Sequence, residues 1–378
     1  MEKKLIYADY AATSPVEERV LKEMLPYFTE SFGNPSGVHR ASRTAAKAVA
    51  EARRKIAAAI GADYSEIYFT SGGTEADNWA VNVAKGKKIV TTAVEHKAVL
   101  NSCKALEKSG TAVTYLPVDS DGFVTAKQVT AAIDGDTALV SVMQANNEIG
   151  TVMPIDEIAE VCRAKGVLFH TDAVQAIGNL PVNASGIDML SCSGHKIGAP
   201  KGVGFLYVRK GTPLESFIHG GNQEFGFRAG TENVPAIVGL GEAVKLACEG
   251  AHDNAEYVTR LRDKLIDGLL EIPDAHLNGS REKRLCGNVN VSFADVESEA
   301  VLLMLDAAGI CASGGSACTT GENEPSHVLT AIGVENEFIN GTVRFTLSHQ
   351  NTEDEVNYII GQTTEIVQRL RKIRMANR

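Results

Sequence analysis

Asp172 and Lys196 each close a short apolar run, residues 167–171 and 187–192 respectively. A lysine amine can condense with the aldehyde of pyridoxal 5'-phosphate (PLP), and a carboxylate can keep that cofactor's pyridine nitrogen protonated so that the ring accepts electrons. Taken singly, a lysine after a strand is ordinarily a solvated loop residue, and an aspartate there is a turn or helix cap. Their neighbours argue for more. Gln175 follows Asp172, Ser193 and His195 flank Lys196, and Gly194 and Gly198 bracket the lysine, where a flat cofactor must approach the backbone closely.

Other chemical candidates fall where strands should end. Thr70-Ser-Gly-Gly-Thr-Glu75 joins a strand to a helix start, a place suited to holding a phosphate through backbone N–H groups and the Thr74 hydroxyl. His96 follows a strand at 88–93, placed to lie over a planar ligand or to move protons. Asn146-Asn147-Glu148 follows a strand at 138–143 with more polar side chains than a plain turn needs. Ser193-Gly-His-Lys196 also satisfies the Ser-x-x-Lys nucleophile pattern, but its companions Ser-Asp-Asn and Lys-Thr-Gly do not occur. No stretch fits GxxxxGK[ST], and Gly202-Val-Gly204 precedes a strand instead of following one.

The elements that must position these residues read as an α/β chain. Short apolar strands at 67–70, 88–93, 112–117, 138–143, 167–171, 188–192 and 203–208 alternate with helical patterns, which predicts a mainly parallel sheet covered by helices on both faces. Ser14-Pro-Val-Glu17 reads as a capping box opening a helix. A long helical stretch over 234–270, broken near Gly250, leads to a sparser pattern with strands at 288–293 and 342–347. The expected organisation is a large cofactor domain over 14–255 and a smaller α+β domain made of 1–13 and 256–378. Ligands of open α/β sheets bind beyond the carboxyl ends of the strands, where the candidates gather.

Composition admits an enzyme and excludes other classes. The 378 residues are 44% hydrophobic, enough for one large core or a large and a small one. With 37 basic against 47 acidic residues the formal charge is −10, which speaks against direct nucleic-acid binding. Arg369, Arg371, Lys372, Arg374 and Arg378 read as a cationic last turn of a helix, with partner docking the alternative. Seven scattered cysteines without a CxxC pair, and no long apolar span, predict a reduced, cytoplasmic protein away from membranes. No metal-ligand spacing is present. Among the cysteines, Cys318 stands apart: it lies in Ser313-Gly-Gly-Ser-Ala-Cys318-Thr-Thr-Gly, a polar, glycine-rich loop that lets a thiol reach a site and withdraw.

These motifs, from Tyr7-Ala-Asp-Tyr-Ala-Ala12 through Gly33-Asn-Pro-Ser36, Glu95-His96-Lys97, His170-Thr-Asp172 and Arg228-Ala-Gly-Thr231 to Arg344, follow one another along essentially the whole chain. Their order resembles the cysteine desulfurases of the NifS/IscS type, class V aminotransferases of the fold type I PLP enzymes. The resemblance implies that Lys196 carries PLP, Asp172 pairs with its ring nitrogen, Gln175 contacts its ring hydroxyl, and His96 and Asn147 lie on opposite sides of the ring. It further implies a phosphate site of Gly73, Thr74, Ser193 and His195, joined across a homodimer interface by Thr231 of the second copy. Arg344, with Asn147 and Asn34, is implied to bind the substrate.

The implied reaction converts L-cysteine to L-alanine and leaves the sulfur as a persulfide on Cys318, with Lys196, His96 and Cys318 as catalytic groups. The sulfur then passes to an iron–sulfur scaffold or a tRNA-thiolation enzyme, and Cys318 is the residue that could transiently contact an iron–sulfur cluster. Gly314-Gly315 stands where many relatives have Ser-Gly, and Gly194 where Ser is frequent. A selenocysteine lyase or aminotransferase on the same fold is the alternative, and a Ser–Lys acyl hydrolase the more distant one.

Overall fold

The computed structural model describes residues 5–314 and 325–376. Its strands are β1 (Ile6–Tyr7), β2 (Ile67–Thr70), β3 (Lys88–Thr92), β4 (Ala112–Leu116), β5 (Thr137–Ser141), β6 (Leu168–Asp172), β7 (Met189–Ser193), β8 (Gly204–Val208), β9 (Ala275–Leu277), β10 (Asn288–Phe293), β11 (Ile310–Cys311) and β12 (Thr342–Thr346). The helices are α1 (Glu18–Met24), α2 (Pro26–Thr29), α3 (Arg40–Ile60), α4 (Gly73–Asn82), α5 (Lys97–Glu107), α6 (Ala126–Ala132), α7 (Ile155–Lys165), α8 (Val234–Leu270), α9 (Ser298–Ala307), α10 (His327–Ala331), α11 (Asn336–Ile339) and α12 (Glu353–Ala376).

Seven strands form one sheet in the order β2-β8-β7-β6-β5-β3-β4. β3 to β7 run parallel, and β8 is antiparallel to both of its neighbours. The two-residue period of a strand explains how both faces become apolar. Val90, Val140, Leu190 and Phe205 join α3, α7 and the first half of α8 in one core, while Ile89, Leu139, Met189 and Leu206 join α4 and α5 in another. A sheet buried on both faces needs the near-continuous apolar runs seen in the sequence.

A second, smaller layer holds the antiparallel strands β12-β10-β9 and the parallel pair β1-β11. Its core gathers Val291, Phe293, Val343 and Phe345 with Leu265 and Leu269 of α8, Leu305 of α9 and Ile359 of α12. α8 therefore serves both cores, and it runs unbroken through Gly250, contrary to the expected break. One glycine costs a helix only about 1 kcal/mol, whereas α8 packs on α1, α3 and α12 along its length. β9 escaped the sequence reading because three residues are too short to display a period. Among the described residues no helix is long and apolar enough to cross a membrane.

The N-terminal segment also departs from expectation. α1 begins at Glu18 without a side-chain cap, so Ser14-Pro-Val-Glu17 is no capping box. Ser14 instead donates its N–H and hydroxyl to the His195 carbonyl, at 2.8 and 3.0 Å, and its oxygen accepts from the Gly198 N–H at 2.8 Å. The segment pins the loop that carries Lys196, a long-range bond that competes with local capping.

A buried ion pair secures the other side of the sheet. The Arg53 guanidinium meets Glu224 through two 2.7 Å bonds, Glu224 also accepts from the Phe69 N–H at 2.8 Å, and the guanidinium lies 4.5 Å from the Phe69 ring centre. Glu224 and Phe225 both take positive φ, 46° and 60°, strained backbone that this pair holds in place. Glu224→Ala strands a buried guanidinium, so it is expected to lower unfolding free energy by roughly 3–5 kcal/mol. Denaturant melts check this, and a loss below about 1 kcal/mol, typical of an exposed pair, would contradict it.

Candidate active site

The carboxyl ends of β2, β3, β5, β6 and β7 open into one cavity of about 610 Å³. β2 delivers Gly73 and Thr74 at the start of α4, β3 delivers His96 at the cap of α5, and the turn after β5 delivers Asn147. β6 ends on Asp172, with Gln175 one turn later. β7 ends on Ser193, followed by His195 and Lys196. Arg344, from β12 of the smaller layer, completes the lining. Thr231 is exposed and lines a neighbouring cleft with Ser71 and Arg228. Asn34 is exposed and outside the cavity of its own chain, its side-chain oxygen accepting from the Ser36 N–H at 2.9 Å. Cys318 lies outside the described residues.

Local bonding explains how each side chain is aimed. The Lys196 amine donates to the carbonyls of Ala11 at 2.5 Å and Ala12 at 2.8 Å, and Gln175 donates to the same Ala11 carbonyl at 3.1 Å. His96 caps α5 by accepting the Ala98 N–H on Nδ1 at 3.1 Å. Asn146 ties the turn down, its side-chain oxygen accepting from the N–H groups of Glu148 and Ile149 and its amide donating to the Val94 carbonyl at 2.9 Å, and so leaves the cavity wall to Asn147. Arg344, 1% exposed, donates to the Asn147 carbonyl at 2.9 Å and to Asp9 at 3.0 Å. Its buried Nε has no hydrogen-bond partner among the described residues.

Burial dominates the electrostatics. It raises the Asp172 carboxyl above its ordinary range, opposed by His96, the Val174 N–H and Lys196. His195 is pushed down to about 4 by burial and then by Lys196 and Lys201, so it is neutral at pH 7, and its Nδ1 lies 3.1 Å from the Thr13 hydroxyl. Glu148, also on the cavity wall, is pushed up to about 7 by burial, against a 2.5 Å bond from the Ser326 hydroxyl. Sequence reasoning passed over Asp77, which lines the cavity from α4. The signal was there: Asp77 is a carboxylate on the otherwise apolar buried face formed by Ala76, Ala80 and Val81.

A lysine, a buried carboxylate and a helix N-terminus converging at the carboxyl edge of such a sheet define the site of a fold type I PLP enzyme. The Aminotransferase class-V family pattern matches residues 6–359. A cysteine desulfurase IscS of Methanosarcina thermophila is 51% identical across 98% of this chain and 94% of its own length. Another cysteine desulfurase IscS, from Clostridium botulinum (strain Hall), is 48% identical across 98% and 96%. Among solved structures, a NifS-like protein superposes with a TM-score of 0.91 at 38% identity, covering 96% of this chain and 99% of that one. A structure described as SspA in complex with cysteine gives 0.81 at 38% identity, covering 92% and 100%. The chain belongs to the class-V aminotransferase family and, within it, to the cysteine desulfurases.

PLP is the cofactor of that family, and the residues here fit it. A Cβ on Gly73 would stand 2.8 Å from Val174 Cγ2, and one on Gly204 would stand 2.8 Å from the Gly72 Cα. The phosphate-side backbone is thus packed as closely as glycine allows. Asp172, 4% exposed, is a buried carboxylate for which a protonated ring nitrogen is a suitable partner.

Proposed function

We propose that this protein is a PLP-dependent cysteine desulfurase that converts L-cysteine to L-alanine and hands the sulfur, as a persulfide on Cys318, to an acceptor protein. The observation that carries the reading is the convergence of Lys196, Asp172 and Arg344 on one cavity, in a chain half identical to enzymes named for this activity. Bound PLP supplies an electron sink for charge developing at the substrate's α-carbon.

The chain's own groups do the rest. Arg344 takes the substrate carboxylate, its Nε having no partner among the described residues and Asn147 lying beside it. Asn34 is a further substrate contact supplied from the second copy. Lys196 would hold the cofactor covalently, and its amine is the group that would move the substrate's α-proton. Gly73, Thr74, Ser193 and His195 would hold the phosphate, Gln175 the ring hydroxyl, and His96 would lie against the ring. The proton that leaves the Cys318 thiol goes to His96, where Nδ1 must give up its bond from the Ala98 N–H to take it, or to water. The Cys318 thiolate attacks the substrate sulfur, an S–S bond forms, the Cβ–S bond breaks, and protonation of the carbon fragment gives alanine.

Leu21, Leu25, Phe28, Phe32 and Val38 are all exposed, and such a run of apolar surface supports burial against a second copy. In that dimer, Thr231 reaches the partner's phosphate site. The acceptor is an iron–sulfur scaffold or a tRNA-thiolation enzyme.

Incubating the PLP-loaded protein with L-cysteine and a thiol reductant tests the reaction: L-alanine and sulfide should form in equal amounts. Formation of an oxo acid instead marks an aminotransferase, and activity confined to selenocysteine marks a lyase. Arg344→Lys, which keeps the charge and loses the planar fork, is expected to raise KM for L-cysteine about tenfold or more, with a smaller change in kcat. An unchanged KM would remove Arg344 from the substrate site.

A further inference from the structure

Asp77 is 1% exposed, between α4 and the sheet. One of its ligand atoms, one from His96 and one from Asp172 all lie within 4.8 Å of one another. Its Oδ1 has no hydrogen-bond partner among the described residues, and Nε2 of His170 stands 3.7 Å from it. His170 is itself held between two hydroxyls, Ser141 at 2.8 Å on Nδ1 and Ser191 at 2.9 Å on Nε2. Burial pushes that imidazole down to about 3, so it brings no charge. The titratable groups facing Asp77 are Asp172 and His170 from β6 and Glu95 and His96 from the turn before α5. Glu95 is pushed up to about 8 by burial and is neutral as well.

Two carboxylates this close in a dry layer repel strongly when both are ionised, so the pair keeps a proton. The surroundings decide where it sits. His96 stands close to both carboxyls, but Asp172 alone has the Val174 N–H at 2.8 Å and the field of Lys196 to favour its anion. Among the described residues Asp77 has the Ser191 hydroxyl as its one hydrogen-bond donor to set against complete burial. We propose that Asp77 is a positioning residue for the cofactor: it holds the proton of the Asp77–Asp172 pair and leaves Asp172 as the single anion at the floor of the cavity. The inference rests on the PLP reading of that cavity. Asp77 acts through Asp172, fixing which carboxylate meets the ring nitrogen and in what orientation.

A neutral carboxyl can be replaced by its amide, and an ionised one cannot. The test compares PLP-loaded wild type, Asp77→Asn and Asp77→Ala by cofactor dissociation constant and by the pH midpoint of the bound cofactor's visible absorbance. Asp77→Asn is expected to keep the dissociation constant within about threefold and the midpoint within about 0.3 pH unit. Asp77→Ala, which removes the polar contacts, is expected to weaken cofactor binding about tenfold or more and to move the midpoint. A midpoint displaced by about one unit or more in Asp77→Asn overturns the proposal, because it reports the loss of a charge. So does an Asp77→Ala protein that matches wild type on both measures. Should Asp77→Ala not fold, the amide variant decides alone. Wild type that binds no PLP refutes the cofactor reading itself, whereas wild type that binds it beside a displaced Asp77→Asn refutes only the role of Asp77.

Discussion

Lys196→Ala is expected to yield folded protein that cannot hold PLP covalently and that makes alanine from L-cysteine at least roughly a thousandfold more slowly, the scale of losing a positioned base. The reason is local. The amine is aimed by two carbonyls, Ala11 and Ala12, on a segment that Ser14 ties back to the lysine's own loop. Lys201 and Lys97 also line the cavity, but among the described residues neither is bonded to the Ala11–Ala12 segment. Borohydride reduction followed by mass analysis checks the covalent link. Wild type should be fixed to its cofactor at Lys196 and the variant should not. A variant within about tenfold of wild-type activity would show that this lysine is not the base.

The second large effect separates cofactor chemistry from sulfur transfer. Cys318→Ala is expected to bind PLP with the wild-type visible spectrum and yet to lose at least about a hundredfold in sulfide release from L-cysteine, since a nucleophile and not a binding contact has gone. The other six cysteines are poor substitutes: Cys103, Cys162, Cys192 and Cys286 are buried, Cys248 and Cys311 are partly buried, and burial raises the thiol of each above its ordinary value. Full sulfide production by the variant would refute the persulfide route while leaving the PLP assignment intact.

How far these residues could be read from the chain depended on the range of the interactions that place them. Asp172 and Lys196 were legible because β6 and β7 are central strands, buried on both faces, whose apolar runs stop abruptly at the polar edge. The sheet's helices were legible through their period, and in the structure α3 and α7 close on Gly61 and Gly166, both in the left-handed conformation. Ser14 misled because its local pattern fits a cap, while its bonds go to His195 and Gly198. The Arg344–Asp9 pair joins opposite ends of the chain and leaves no local pattern at all. Asp77 needed only closer attention to one polar residue on an apolar helix face.

The central claim is that sulfur leaves cysteine onto this chain's own thiol. A single turnover with sulfur-labelled L-cysteine, without acceptor or reductant, tests it most directly. The account predicts one alanine per active site and one labelled sulfur atom on the Cys318 peptide, released by thiol reductant. Alanine formed with no label on the protein, or label on a peptide lacking Cys318, would contradict it.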